Sequence, residues 1–271
     1  MHTTPWFAVK PRATPRLRLF CFPYAGGNAQ EFLAWQDKLD PSIEVWAAQL
    51  PGRGQRWREA PHTRLPALVR EMAAHLPQHD SLPFAFFGHS LGALVAFELA
   101  RLCQLLGLRL PAQLFVSGCD APRHRSLPRG LHLLPDGALI DALRSYGGTP
   151  ADVLAHLELM QLVLPALRAD FELVDHYRPV AGLPLPMPLT VLAGRRDAHV
   201  DERQVDGWGC EAAAGCSVHW FDGDHFFIQS GRAEVLRLIE KVLAAEMAPA
   251  SPTHKAPRSL PNRQAGWRPL P

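Results

Sequence analysis

The sequence predicts an α/β fold on a mostly parallel sheet, and three observations carry that prediction. Short apolar segments alternate with amphipathic ones along most of the chain. Phe84-Ala85-Phe86-Phe87 is apolar throughout, as strands buried on both faces are. The sharp-turn segment Gly88-His89-Ser90-Leu91-Gly92 lies directly between that strand and an amphipathic helix. With 271 residues, 47% hydrophobic and 20% charged, the chain can fill the core of one such domain.

The elements follow in order. Residues 1–16 are polar and Pro-rich and read as a flexible leader. Leu17 to Phe22 is a strand, broken by Pro23-Tyr24-Ala25-Gly26-Gly27. Glu31 to Leu39 reads as a helix with Phe32, Trp35 and Leu39 on one face. Ile43 to Gln49 is a strand ended by Leu50-Pro51-Gly52-Arg53-Gly54. Leu65 to Leu76 and Ala93 to Leu106 are helical, and Leu114 to Ser117 is a strand. Strands at Leu189 to Ala193 and Val218 to Phe221 come later, and a helix from Glu234 to Ala245 closes the domain. The domain therefore spans 17–247, and residues 248–271 read as a Pro-rich, basic, disordered tail.

One region interrupts the alternation. From about 122 to 179 no strand is apparent. Leu139, Ile140, Leu143 and Tyr146 fit one helical face, and Leu154, Leu157, Met160, Leu164, Leu167, Phe171 and Val174 fit another. Pro165 is expected to kink or split the second stretch. A helical insertion between two sheet strands has the form of an active-site lid; an ordinary packing layer is the other reading.

Bulk properties exclude several classes. A net charge of +2 does not suit a nucleic-acid binder. No basic segment leads into an apolar run at the start, and no stretch nears the roughly 18 apolar residues of a membrane span. Five scattered cysteines (21, 103, 119, 210 and 216) read as reduced thiols of a cytoplasmic protein. Cys210 and Cys216 lack nearby ligands to complete a metal site, so neither a metal nor a cofactor is expected.

The chemistry centres on Ser90. Gly88-His89-Ser90-Leu91-Gly92 matches Gly-x-Ser-x-Gly, a short pattern that becomes specific in its strand–turn–helix setting. That setting is the nucleophile elbow of the α/β-hydrolase fold, and it predicts strained backbone at Ser90 with glycines where side chains would clash. A serine hydroxyl needs a base, and in this fold the chain order is Ser, acid, His. His225, in a loop after the last strand, fits as base better than His219 or His199. Asp197 follows the Leu189 strand and fits as the acid; Asp201 is the alternative, and Asp224 lies too near His225. The oxyanion hole is expected from the backbone N–H groups of Leu91 and Ala25.

Several segments resemble the type II thioesterases, the free-standing editing enzymes of nonribosomal peptide and polyketide synthesis. They are Phe22 to Gly27, Gln49 to Gly54, Phe87 to Ala93, Gly147 to Pro150, Leu164 to Phe171 and Gly223 to Phe227, within a likeness running from Leu17 to Ala245. The resemblance implies hydrolysis of stalled acyl groups from the phosphopantetheine arm of acyl or peptidyl carrier proteins, through an acyl-serine intermediate. It implies a monomer without a cofactor, the substrate itself carrying phosphopantetheine. Tyr24 and Phe226 would contact the substrate. Arg53, Arg56 and Arg58 either meet an acidic carrier domain or are solvated surface charge. A general carboxylesterase, a product-releasing or cyclising terminal thioesterase and an inactive interaction module are the competing readings.

Overall fold

The computed structural model describes residues 4–77, 81–124 and 128–247; the predicted 248–271 tail lies outside them. Seven strands form one sheet: β1 (Phe7–Val9), β2 (Leu17–Phe22), β3 (Ile43–Ala48), β4 (Phe84–His89), β5 (Gln113–Ser117), β6 (Leu189–Gly194) and β7 (Cys216–Phe221). Their spatial order is β1-β3-β2-β4-β5-β6-β7, with every pairing parallel except β1 with β3. Nine α-helices accompany them: α1 (Ala29–Leu33), α2 (Leu65–Ala73), α3 (Leu91–Leu106), α4 (Asp136–Tyr146), α5 (Ala151–Ala155), α6 (Leu157–His176), α7 (Glu202–Val205), α8 (Phe227–Ser230) and α9 (Arg232–Met247), counted among the described residues. This is the α/β-hydrolase fold that the sequence predicts.

The unbroken apolar strands are explained by burial on both faces. Phe20, Phe22, Phe84 and Phe86 point to one side, where Leu65, Met72, Leu94 and Phe97 of α2 and α3 cover them. Leu19, Cys21, Ala85 and Phe87 point to the other, against Phe32 of α1, Trp35, and Val235 and Ile239 of α9. The stretch after α1 tightens to i→i+3 hydrogen bonds, so the helix stops at Leu33, six residues before the predicted Leu39. Phe32, Trp35 and Leu39 are nonetheless buried together, as their spacing requires.

The leader is a correction. Residues 4–16 are not loose: β1 pairs with β3, and Trp6 is 3% exposed. The indole ring lies under the Arg56 guanidinium at 4.1 Å, beside His62 and His75. Two adjacent aromatics, Trp6 and Phe7, outweigh the polar composition around them.

Between β5 and β6 the chain is helical, as expected. Leu139, Leu143, Leu154, Met160, Leu164 and Phe171 form a separate apolar cluster over the sheet edge. Two details differ. Pro165 does not split α6, which runs from Leu157 to His176; the break comes earlier, at extended His156. Pro165 and Gln161, whose carbonyl loses its partner, are both exposed, so water can satisfy that group. The break shifts the helical phase, and Leu157 stands 70% exposed outside the predicted face.

Trp6→Ala is expected to destabilise the fold by about 3 kcal/mol in urea denaturation. A loose leader would give a change within about 0.5 kcal/mol.

Candidate active site

Strand order places the site. The chain leaves β2 toward β3 on one side and leaves β4 toward β5 on the other, so the strand order reverses between β2 and β4. Sites in open α/β sheets form beyond the carboxyl ends of strands at such a reversal. Phe22 pairs with Gly88 there, bringing the Tyr24–Gly27 loop against Ser90. The carboxyl ends of β6 and β7 continue the same edge and carry Asp197 and His225.

The turn at Ser90 has the predicted strain. Ser90 has φ 56°, the only positive value at a non-glycine among the described residues. Two glycines permit it. A Cβ on Gly88 would lie 2.0 Å from the Gly92 carbonyl oxygen, and one on Gly92 would lie 1.9 Å from that of Phe22. Helix α3 starts immediately after, so its N-terminal dipole faces Ser90. Among the described residues Ser90 Oγ has no hydrogen-bond partner, His225 included. Such contacts commonly tighten only when substrate is bound.

Asp197 and His225 are joined. His225 Nδ1 lies 2.7 Å from Asp197 Oδ2, and since a carboxylate only accepts, Nδ1 carries the hydrogen. That leaves Nε2 as the basic nitrogen. Both side chains are almost fully buried. Backbone hydrogen bonds lock their loops together: Arg195 N–H donates to Phe221 O and Arg196 N–H to Gly223 O, both at 2.9 Å. The rival carboxylates do other work. Asp201 caps α7, and Asp224 accepts the Phe226 N–H at 2.8 Å.

These groups share one cavity of about 520 Å³, lined by Tyr24, Ala25, Ser90, Leu91, His225 and Phe226 on the sheet side. Leu131, Leu143, Met160, Leu167 and Phe171 of the inserted segment line it opposite. Among the described residues neither the Ala25 nor the Leu91 N–H donates to a protein acceptor. Tyr24 packs edge-on against Phe226 with 4.8 Å between centroids, and its hydroxyl is engaged by Glu31 and Gln229. Phe226 also packs against the insertion, because a Cβ on Gly148 would lie 2.0 Å from its Cζ.

Two of the three arginines depart from both expectations, and Arg58 fits surface charge. Arg53 is partly buried in a two-pronged pair with the fully buried Asp170. Arg56 is buried on Trp6 and bonds Glu59 and the Gln49 carbonyl. Arg58 alone is exposed, lying over Trp57.

Three cavity residues were not selected from sequence. Tyr146 stacks on His199 with centroids 3.7 Å apart, and Arg129 reaches the Tyr146 hydroxyl at 3.0 Å and His199 Nδ1 at 2.7 Å. His199 is 5.4 Å from His225, ring to ring. Its place two residues after Asp197 was the one available signal. Burial, then the charges of His225 and Arg129, push the His199 pKa down to about 4. Burial, then the charge of His225, holds the wholly buried His89 well below the ordinary histidine value. The imidazoles flanking His225 are thus neutral near pH 7.

The chain matches the thioesterase domain family over residues 17–243. It belongs to the thioesterase family. Gramicidin S biosynthesis protein GrsT of Aneurinibacillus migulanus is 39% identical, covering 90% of this chain and 96% of its own length. Thioesterase PikA5 of Streptomyces venezuelae is 36% identical, over 92% of this chain and 89% of its own. The structure of the type II thioesterase BorB from the borrelidin biosynthetic cluster superposes with a TM-score of 0.83 at 32% identity, covering 90% of this chain and 99% of that one. The resemblance to type II thioesterases drawn from the sequence is borne out, and this thioesterase is a thioester hydrolase. No helix among its described residues is long and apolar enough to cross a membrane.

His199 and His89 bind protons less readily folded than at the ordinary 6.5. As pH falls below about 6.5 the unfolded chain protonates first, so stability is expected to fall from there toward pH 4. Thermal denaturation across this range should show it. His199→Gln should flatten the slope, and an unchanged slope would remove His199 from the account.

Proposed function

We propose that this thioesterase hydrolyses acyl groups from the phosphopantetheine arm of carrier proteins in nonribosomal peptide or polyketide synthesis, with Ser90 as nucleophile, His225 as general base and Asp197 as its orienting acid. The observation that carries this reading is the Asp197–His225 hydrogen bond, set in one cavity with a strained Ser90 at a helix N-terminus. The biosynthetic settings named for GrsT and BorB support the substrate class.

His225 Nε2 takes the Ser90 proton as Oγ attacks the thioester carbonyl. The free N–H groups of Ala25 and Leu91 then receive the oxyanion, each donor worth about 2.7–4 kcal/mol in the transition state. The C–S bond breaks, and the carrier thiol leaves with the proton from His225. Thiolate is a far better leaving group than alkoxide. Water, deprotonated by His225, attacks the acyl-Ser90 ester; the acid leaves and Ser90 regains its proton. The free thiol restores the carrier.

The insertion acts as a lid whose apolar side chains receive the acyl chain, with Tyr24 and Phe226 against the substrate. No cofactor takes part beyond the substrate's own phosphopantetheine. We place the enzyme in the cytoplasm as a monomer. Five free cysteines support a reducing compartment.

Acetyl-carrier protein and an aryl acetate, offered side by side, test the assignment. Carrier hydrolysis is expected to exceed that of the aryl ester. Ser90→Ala should lose activity and fluorophosphonate labelling, and Asp197→Asn should lower kcat on the order of 10⁴-fold. Aryl-ester turnover with no carrier activity would overturn the substrate class. Undiminished labelling of Ser90→Ala would overturn the nucleophile.

A further inference from the structure

In the Tyr24–Gly27 loop the Gly26 and Gly27 N–H groups are committed, and among the described residues the Ala25 N–H is not. Gly27 N–H donates to Tyr24 O at 2.9 Å and closes the turn. Gly26 N–H donates to Asp170 Oδ2 at 2.8 Å. Ala25 N–H, between them and the cavity, has no acceptor among the described residues.

Asp170 reaches the loop from α6, 144 residues away in the chain. Its side chain is 1% exposed and is gripped by Arg53, Nη1 at 2.6 Å from Oδ2 and Nη2 at 2.7 Å from Oδ1. The same Nη1 lies 3.4 Å from Gly27 O. Packing reinforces the contact. Gly26 has φ 77°, and a Cβ there would sit 2.6 Å from Leu167 Cδ2, one turn before Asp170 on the same helix. Three segments distant in sequence therefore meet at one carboxylate: the loop after β2, the turn after β3, and α6.

Fixing one N–H of a tight loop fixes the peptide planes beside it. With Gly26 N–H drawn to Asp170, the plane joining Ala25 to Gly26 is set; the Gly27 N–H on Tyr24 O holds the plane joining Tyr24 to Ala25, and the two together restrain the Ala25 dihedrals and so the direction of the Ala25 N–H. A lone carboxylate at this spot would repel an oxyanion forming nearby, and the bidentate Arg53 cancels that charge. We propose that Asp170, held by Arg53, is a positioning residue for the oxyanion hole. It acts through Gly26 to aim the Ala25 N–H, so the hole is complete only while α6 is seated on the loop. This rests on the functional reading above.

The test compares wild type, Ser90→Ala, Asp170→Asn, Asp170→Ala and the double variant Arg53→Met, Asp170→Leu on acetyl-carrier protein. Replacing both members of a buried pair by apolar residues commonly preserves the fold, so the double variant supplies folded protein without the acceptor. Expected is a kcat loss of roughly 100-fold in Asp170→Ala and the double variant, with KM within about twofold. Asp170→Asn should lose less, because it keeps an oxygen for Gly26. Affinity for a trifluoromethyl ketone analogue, which places an oxyanion in the hole, should fall in parallel with kcat. Affinity for a thioether analogue, which places none there, should hold. A folded double variant with wild-type kcat overturns the proposal, as does equal loss of affinity for both analogues. Activity surviving in Ser90→Ala overturns the functional reading itself, and this proposal with it.

Discussion

The end of β2 and the start of α3 touch backbone to backbone, with Gly92 pressed against the Phe22 carbonyl, and the site is built outward from that contact. A side chain at either glycine of the Ser90 turn would push the helix off the sheet. With none there, α3 begins at Leu91, and the turn holds Ser90 at a φ that L-residues avoid. The same approach leaves the Leu91 N–H beside the loop that carries Ala25. The position of Ser90, the helix dipole and the Leu91 and Ala25 N–H groups thus share one steric condition.

The sheet places the remaining groups, and Asp197 and His225 then bond each other. Asp197 and His225 sit beyond adjacent parallel strands whose register runs from Leu189 with Cys216 to Gly194 with Phe221. Their loops are cross-bonded through backbone, which leaves the side chains little freedom. Ser90 stands on a third strand, and its hydroxyl is bound to neither. The Asp197–His225 pair is thus fixed, while Ser90 faces the cavity unbonded. Neutral His89 and His199 add no positive charge of their own beside His225 near pH 7.

Most of this was legible along the chain where the signal is local. A strand buried on both faces is a continuous apolar run, and β4 reads that way. Chain order selected Asp197 and His225, and the structure brings the two together. What escaped was tertiary. Trp6 and Phe7 are an anchor only because β3 and Arg56 lie beside them. Pro165 is tolerated because it and Gln161 face water. Arg53 looked like surface charge because its partner lies 117 residues on. Tyr146 read as one position on a helical face, with nothing to show that it would stack on His199. Pairings of this kind have no periodicity to read.

The wall that α4 and α6 give the cavity, with Leu143, Met160, Leu167 and Phe171, has a consequence for fidelity. Apolar surfaces grade their ligands by size, at about 1–3 kcal/mol per methylene, and leave no buried polar atom stranded when a foreign chain enters. Sharp rejection needs a stranded polar atom. A surface of this type therefore ranks acyl chains and forbids few of them, which suits a scavenger better than a gatekeeper. Discrimination between a blocked carrier and a productive one then falls to timing: an acyl group that leaves promptly along the assembly line escapes, and one that lingers is removed.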